Sequence, residues 1–191
     1  MTSMTNKEIY LHHLHQARVE YTRWVGMIKL LSAGLLDTSK QTIELNALEI
    51  DFGKWFYQEA MLLAEGTCVS TVSEMEVLWT EIHSHFMDIY EVCAQKQKNN
   101  IFGMKKPLSD AAIKISTVHY HEIIMLSDKL KNALRLFEKQ LNAKGEDEFD
   151  IFGNHLAAQE YMKKIENAKK DKPKSGSSVG VSGARGAYLS E

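Results

Sequence analysis

Proline is almost missing from this chain of 191 residues, which has two, and with it goes the commonest interrupter of long helices. Cysteine is equally scarce. Cys68 and Cys93 stand alone and without C-x-x-C spacing, which excludes a disulfide framework and points to a reduced, cytoplasmic setting. Cys93 reads most simply as a small buried hydrophobe. No excess of either charge sign exists: 23 Lys and Arg oppose 25 Asp and Glu, a net charge of −2, so neither nucleic acid nor an anionic membrane is expected as a partner. No apolar run approaches the ~18 residues of a membrane span. The polar start, Met1 to Lys7, lacks the apolar core of a secretory signal. Catalytic signatures are missing too, with no G-x-S-x-G, phosphate loop, G-x-G-x-x-G, H-E-x-x-H or paired E-x-x-H, and a non-enzymatic role is expected.

What the chain has is helical periodicity. Leu14, Ala17, Tyr21, Trp24, Ile28, Leu31 and Leu35 alternate steps of three and four, predicting a helix from about Asn6 to about Leu36 that stops at Gly34 and the Asp37 turn. A second helix is expected from about Lys40 to Glu65. It has Ile43, Ala47, Ile50 and Tyr57 on one flank and Leu48, Phe52, Trp55, Glu59 and Leu62 on the next. So wide an apolar arc implies a central position or a shared subunit interface. A third helix, about Ser70 to Lys98, carries the seam Val72, Met75, Trp79, Ile82, Phe86, Ile89 and Cys93. Pro107, Ser109 and Asp110 announce a fourth, which runs to about Asn142 with Leu108, Ala112, Ile115, His119, Leu126, Leu130, Phe137 and Leu141 inward.

The expected fold is therefore all-α, an antiparallel four-helix bundle over residues 6–142. A linker and a short amphipathic helix follow over 143–170, where Ile151, Phe152, Leu156, Tyr161, Met162 and Ile165 recur at helical spacing. Residues 171–191, rich in Gly, Ser and Lys, are expected to be disordered.

Gly53 sits inside the second predicted helix, where glycine costs roughly 1 kcal/mol relative to alanine. Close approach of another helix is the expected reason. The same segment carries a resemblance. Tyr21-Thr22-Arg23-Trp24, Ile50-Asp51-Phe52-Gly53-Lys54-Trp55 and Trp79-Thr80-Glu81-Ile82-His83 together resemble the chemoreceptor zinc-binding (CZB) domain over about residues 21–90. That family's pattern is a His three residues before a Trp, a Cys ahead of Gly-x-Trp, and a His-x-x-x-His helix. The resemblance implies a small helical bundle in bacterial chemotaxis, motility or cyclic-dinucleotide signalling, with a chemoreceptor or motility component as partner. It also implies ligands at positions where this chain has Tyr21, Ile50, Trp79 and His83, so only His83 retains the family's residue. Zinc is accordingly not expected there, the space being filled by Tyr21, Ile50 and Trp79 and by the packing of Trp24, Phe52, Gly53 and Trp55. By family geometry the Tyr21 hydroxyl is the expected hydrogen-bond partner of His83.

Two other readings stay open. One rebuilds a zinc site from His83, His119 and a third ligand, making the protein a zinc-responsive sensor. Most histidines have plainer assignments, with His119 as a core residue, His85 and His121 as surface residues, and His12, His13 and His15 as an adventitious cluster. The other is a small-ligand receptor with an apolar cavity of a few hundred Å3 lined by Trp24, Trp55 and Trp79. The preferred reading is a sensory or protein-interaction adaptor, self-associating or docked on a protein partner through the short amphipathic helix.

Overall fold

The computed structural model describes residues 4–36, 42–96 and 108–150, with the side chains of 94–96 left aside. They fall in the first of two compact units, Met1–Leu156; the second, Ala157–Glu191, lies outside them. Among the described residues there is no strand, and the chain is all-α. The expected amphipathic helix and tail lie outside the described residues.

Helix α1 spans Asn6–Ser32 and opens on a capping box: the Thr5 hydroxyl accepts from the Glu8 amide, and the Glu8 carboxylate accepts from the Thr5 amide at 2.9 Å. It ends in a Schellman turn. The Leu35 and Gly34 amides donate to the carbonyls of Leu30 and Leu31, each at 2.9 Å, and Gly34 takes a φ of 71° that side-chain-bearing residues avoid. Leu35 therefore lies beyond the helix and is exposed, not part of the inward seam.

The long second helix expected over 40–65 is not formed as such. Residues 42–46 are irregular and 47–50 form a turn, in which the Asn46 side-chain oxygen accepts from the Leu48 amide at 3.0 Å. That local bond competes with helix formation and ends the helical reading of Ala47 and Leu48. Helix α2 covers only Asp51–Trp55 and continues into a π turn, Phe56–Ala60, whose Met61 amide reaches back five residues to the Phe56 carbonyl at 3.0 Å. One extra residue in the turn advances the inward register. Ala60 and Leu63 are thus buried where straight α geometry had placed Glu59 and Leu62. Of the expected apolar arc, Ile50, Phe52 and Trp55 are buried, Ile43, Ala47, Tyr57 and Leu62 are half-buried, and Leu48 is exposed.

Helices α3, Cys68–Lys96, and α4, Asp110–Ala143, share the largest interface. Ser109 caps α4 by accepting from the Ala112 amide. The whole predicted α3 seam is buried. On α4 Ile115 faces out, while Ser116, Ile123, Ser127 and Leu134 face in. The Lys7 ammonium at the start of α1 donates to the carbonyls of Asn142 and Lys144 at the end of α4, and Arg18 donates to Glu138 at 2.6 Å. Helix resumes at residues 146–150, so that 146–148, expected as polar linker, are helical, and Phe149 is fully buried against the Tyr10 ring at 5.8 Å.

Candidate functional site

Two groups of residues have the chemistry to be considered, an aromatic cluster at the positions the CZB resemblance implies and a polar trio between α3 and α4.

The aromatic cluster is built by α1, α2 and α3. Tyr21, Phe52 and Trp79 are almost wholly buried, and Phe52 lies 5.1 Å from Tyr21 and 4.9 Å from Trp79 between ring centroids. Trp24 adds contacts to Trp79 and Phe86, each at 5.1 Å, and Trp55 meets Phe52 at 5.7 Å. Such tilted and edge contacts favour aromatic pairs beyond their area burial. With Phe52 in contact with both Trp55 and Trp79, rings occupy the region where the receptor reading required an apolar cavity. Ile50 is also buried, at the start of α2.

Gly53 has a sharper reason to be glycine than the approach of a second helix. A Cβ there would stand 1.8 Å from the carbonyl oxygen of Ala47, in the chain's own preceding turn, with Trp79 of α3 behind it at 3.4 Å. The turn and the glycine are a matched pair.

The Tyr21 hydroxyl bonds to the Ser127 hydroxyl of α4, not to His83. His83 donates instead from Nε2 to the Leu45 carbonyl at 2.9 Å, so the irregular 42–46 segment supplies its partner. With that nitrogen engaged as a donor, only Nδ1 retains a lone pair. Trp79 Nε1 and Trp24 Nε1 have no hydrogen-bond partner among the described residues.

The second group went unrecognised in the sequence. His119 is set beside His85, not His83: the two Nδ1 atoms are 3.0 Å apart, and the Asp88 carboxylate lies 3.4 Å from His119 Nδ1 and 4.0 Å from His85 Nδ1. All three side chains are part-exposed. The signal available was His85-x-x-Asp88, which puts two ligand types on one helix face. Which residue of α4 faces them depends on inter-helix register.

A hydrogen bond joins His13 Nδ1 on α1 to the Glu59 carboxylate in the π turn at 2.9 Å. Beside Trp24 and Ile50 a cleft of about 450 Å3 opens to solvent, edged by Arg23, Glu49, Asp51 and Lys54. Apolar surface from Trp24, Met27 and Ile50 is rimmed there by side chains of both charge signs.

Burial raises the acidities' thresholds throughout the core. Desolvation, then the Glu59 charge, pushes the Tyr10 phenol up to about 12. Desolvation pushes Tyr21 up further, against a lowering effect of its Ser127 bond. Cys68 and Cys93 are likewise raised, chiefly by burial. A group whose pKa rises on folding gives stability that is complete below its unfolded value and lost as pH climbs through the folded one. Starting from ordinary values of 9.0 for the thiols and 10.0 for the phenols, stability is expected to decline from about pH 9 upward, with the Tyr10 contribution lost by about pH 12. Urea midpoints taken between pH 7 and 11 check this, and a midpoint unchanged at pH 11 would contradict it.

Comparison with known proteins gives no match to this chain among family models, curated proteins or solved structures.

Proposed function

We propose that this chain is a non-enzymatic sensory or protein-interaction adaptor of CZB-like build whose family zinc position has been closed by side-chain packing. The carrying observation is the burial of Tyr21, Ile50 and Trp79, with Phe52 wedged between the Tyr21 and Trp79 rings. None of those residues is an ordinary zinc ligand, and a tetrahedral site needs three or four. His83, the one family ligand retained, is held by the Leu45 carbonyl. On this reading the helices form an antiparallel four-helix bundle with a shortened second member. Its setting is the cytoplasm, in bacterial chemotaxis, motility or cyclic-dinucleotide signalling, and its partner is a chemoreceptor or motility protein.

An interaction role has support on α4. Val118, Met125 and Leu136 are exposed and fall along one helical stripe, being spaced by seven and eleven residues. A homodimer or partner contact is assigned to this stripe.

Affinity capture from the native host tests the reading, with wild type and Val118→Glu/Met125→Glu as baits. A chemoreceptor, motility or cyclase component held by the wild type and released by the variant is the expected result. Equal capture by both baits, or by neither, overturns the adaptor role. The closed-site half is tested separately: stoichiometric zinc in untagged protein that disappears in His83→Ala would refute it.

A further inference from the structure

We infer that His85, Asp88 and His119 form a binding site for a divalent late first-row transition ion, with zinc the natural occupant, clamping α3 to α4. The inference does not depend on the adaptor reading and uses none of the positions implied by the CZB resemblance.

The argument is geometric. Bonds of about 2.0–2.1 Å at the tetrahedral angle separate two ligand atoms by about 3.3 Å. The three donor atoms here lie 3.0, 3.4 and 4.0 Å from one another. An ion placed among them thus needs shifts of only a few tenths of an ångström, within rotamer freedom of part-exposed side chains. His85 and Asp88 are on adjacent turns of α3, and His119 comes from the facing helix, so the donors approach from two sides.

The donor chemistry is also selective. Two imidazoles and one carboxylate suit zinc, nickel or copper, whereas magnesium and calcium prefer oxygen alone. Without an ion the two Nδ1 atoms share one hydrogen, one ring donating and the other accepting. Binding needs only a tautomer change: the hydrogen of the donating ring moves to its Nε2, both rings stay neutral, and each Nδ1 presents a lone pair to the metal. Three protein ligands leave the fourth position to water, the open type of site. Exposure of the trio gives the ion a direct route in from solvent.

Titration calorimetry of untagged, chelator-stripped full-length protein with zinc chloride tests the site. His12→Ala/His15→Ala serves as the background, to remove the N-terminal cluster. One ion per chain is expected, with affinity falling roughly tenfold or more in His119→Ala and in Asp88→Asn. His119→Gln keeps the side-chain volume and guards against a folding artefact; it must show the same loss while its circular dichroism matches wild type. Cobalt chloride should give the intense visible bands of a four-coordinate ion, absent in His85→Ala. Unchanged affinity in the His119 and Asp88 variants overturns the site, as does the absence of any zinc heat. Loss in His83→Ala with retention in His119→Gln also overturns it, and would at the same time remove the closed-site reading, whereas loss only in the His119 and Asp88 variants leaves that reading standing.

Discussion

Gly53→Ala is expected to destabilise the fold by roughly 2–4 kcal/mol, a fall in melting temperature of roughly 5–15 °C. Two effects of opposite sign compete at this position. Alanine is favoured over glycine by roughly 1 kcal/mol in a helix interior, so an unobstructed Gly53 would gain from the change. The added methyl, however, meets the Ala47 carbonyl oxygen at 1.8 Å, far inside any contact distance. That oxygen belongs to backbone in a turn and cannot swing aside as a side chain would. The 47–50 turn must move, and with it Ile50 at the entrance to α2 and the residues before it, including Leu45, whose carbonyl holds His83. The overpacking therefore outweighs the propensity gain. A neutral or stabilised Gly53→Ala protein in denaturant unfolding would show that the turn is not where we place it.

The second large effect belongs to Trp79. It is fully buried and touches Tyr21, Trp24 and Phe52, so Trp79→Ala is expected to cost roughly 3–5 kcal/mol through lost burial and the cavity left behind. Trp79→Phe should behave differently. Phenylalanine keeps most of the ring contacts and removes an indole N–H that has no acceptor among the described residues, so the volume lost is partly offset by an unpaired donor removed. A cost under about 1.5 kcal/mol is expected. Equal penalties for the two substitutions would mean that the N–H, not the ring, holds the centre together.

Where sequence periodicity was read with only large apolar residues, it succeeded on α3, whose seam from Val72 to Cys93 is buried throughout. It failed on α4 wherever the inward residue is small and polar. Ser116 and Ser127 face the core because Cys93 and Tyr21 offer them bonding partners on other helices, a fact no single-helix pattern contains. Ile115 was assigned inward on its hydrophobicity alone and faces solvent. In the 40–50 stretch, residues of good helix propensity were overruled by the Asn46 turn.

The candidate sites divide in the same way. The burial of Tyr21, Phe52 and Trp79 was visible because each is bulky and each lies on an apolar face. The partner of His83 was misassigned because Leu45 contributes a backbone carbonyl, which leaves no trace in residue type. His85 and His119 were assigned one at a time and Asp88 was given no role, so the three were missed together. Their meeting depends on how α3 and α4 slide against each other, and that is set by the whole interface.

The π turn at Phe56–Ala60, into which α2 continues, carries a spare residue. Elsewhere in a helix, excising a residue rotates everything downstream by about 100° and turns the buried face outward. Here the same excision would relax the wide turn to ordinary pitch while Leu63 kept its inward heading. The chain is thus built to absorb a shortening at the point where Glu59 reaches across to His13, and that contact is one that such a shortening would forfeit.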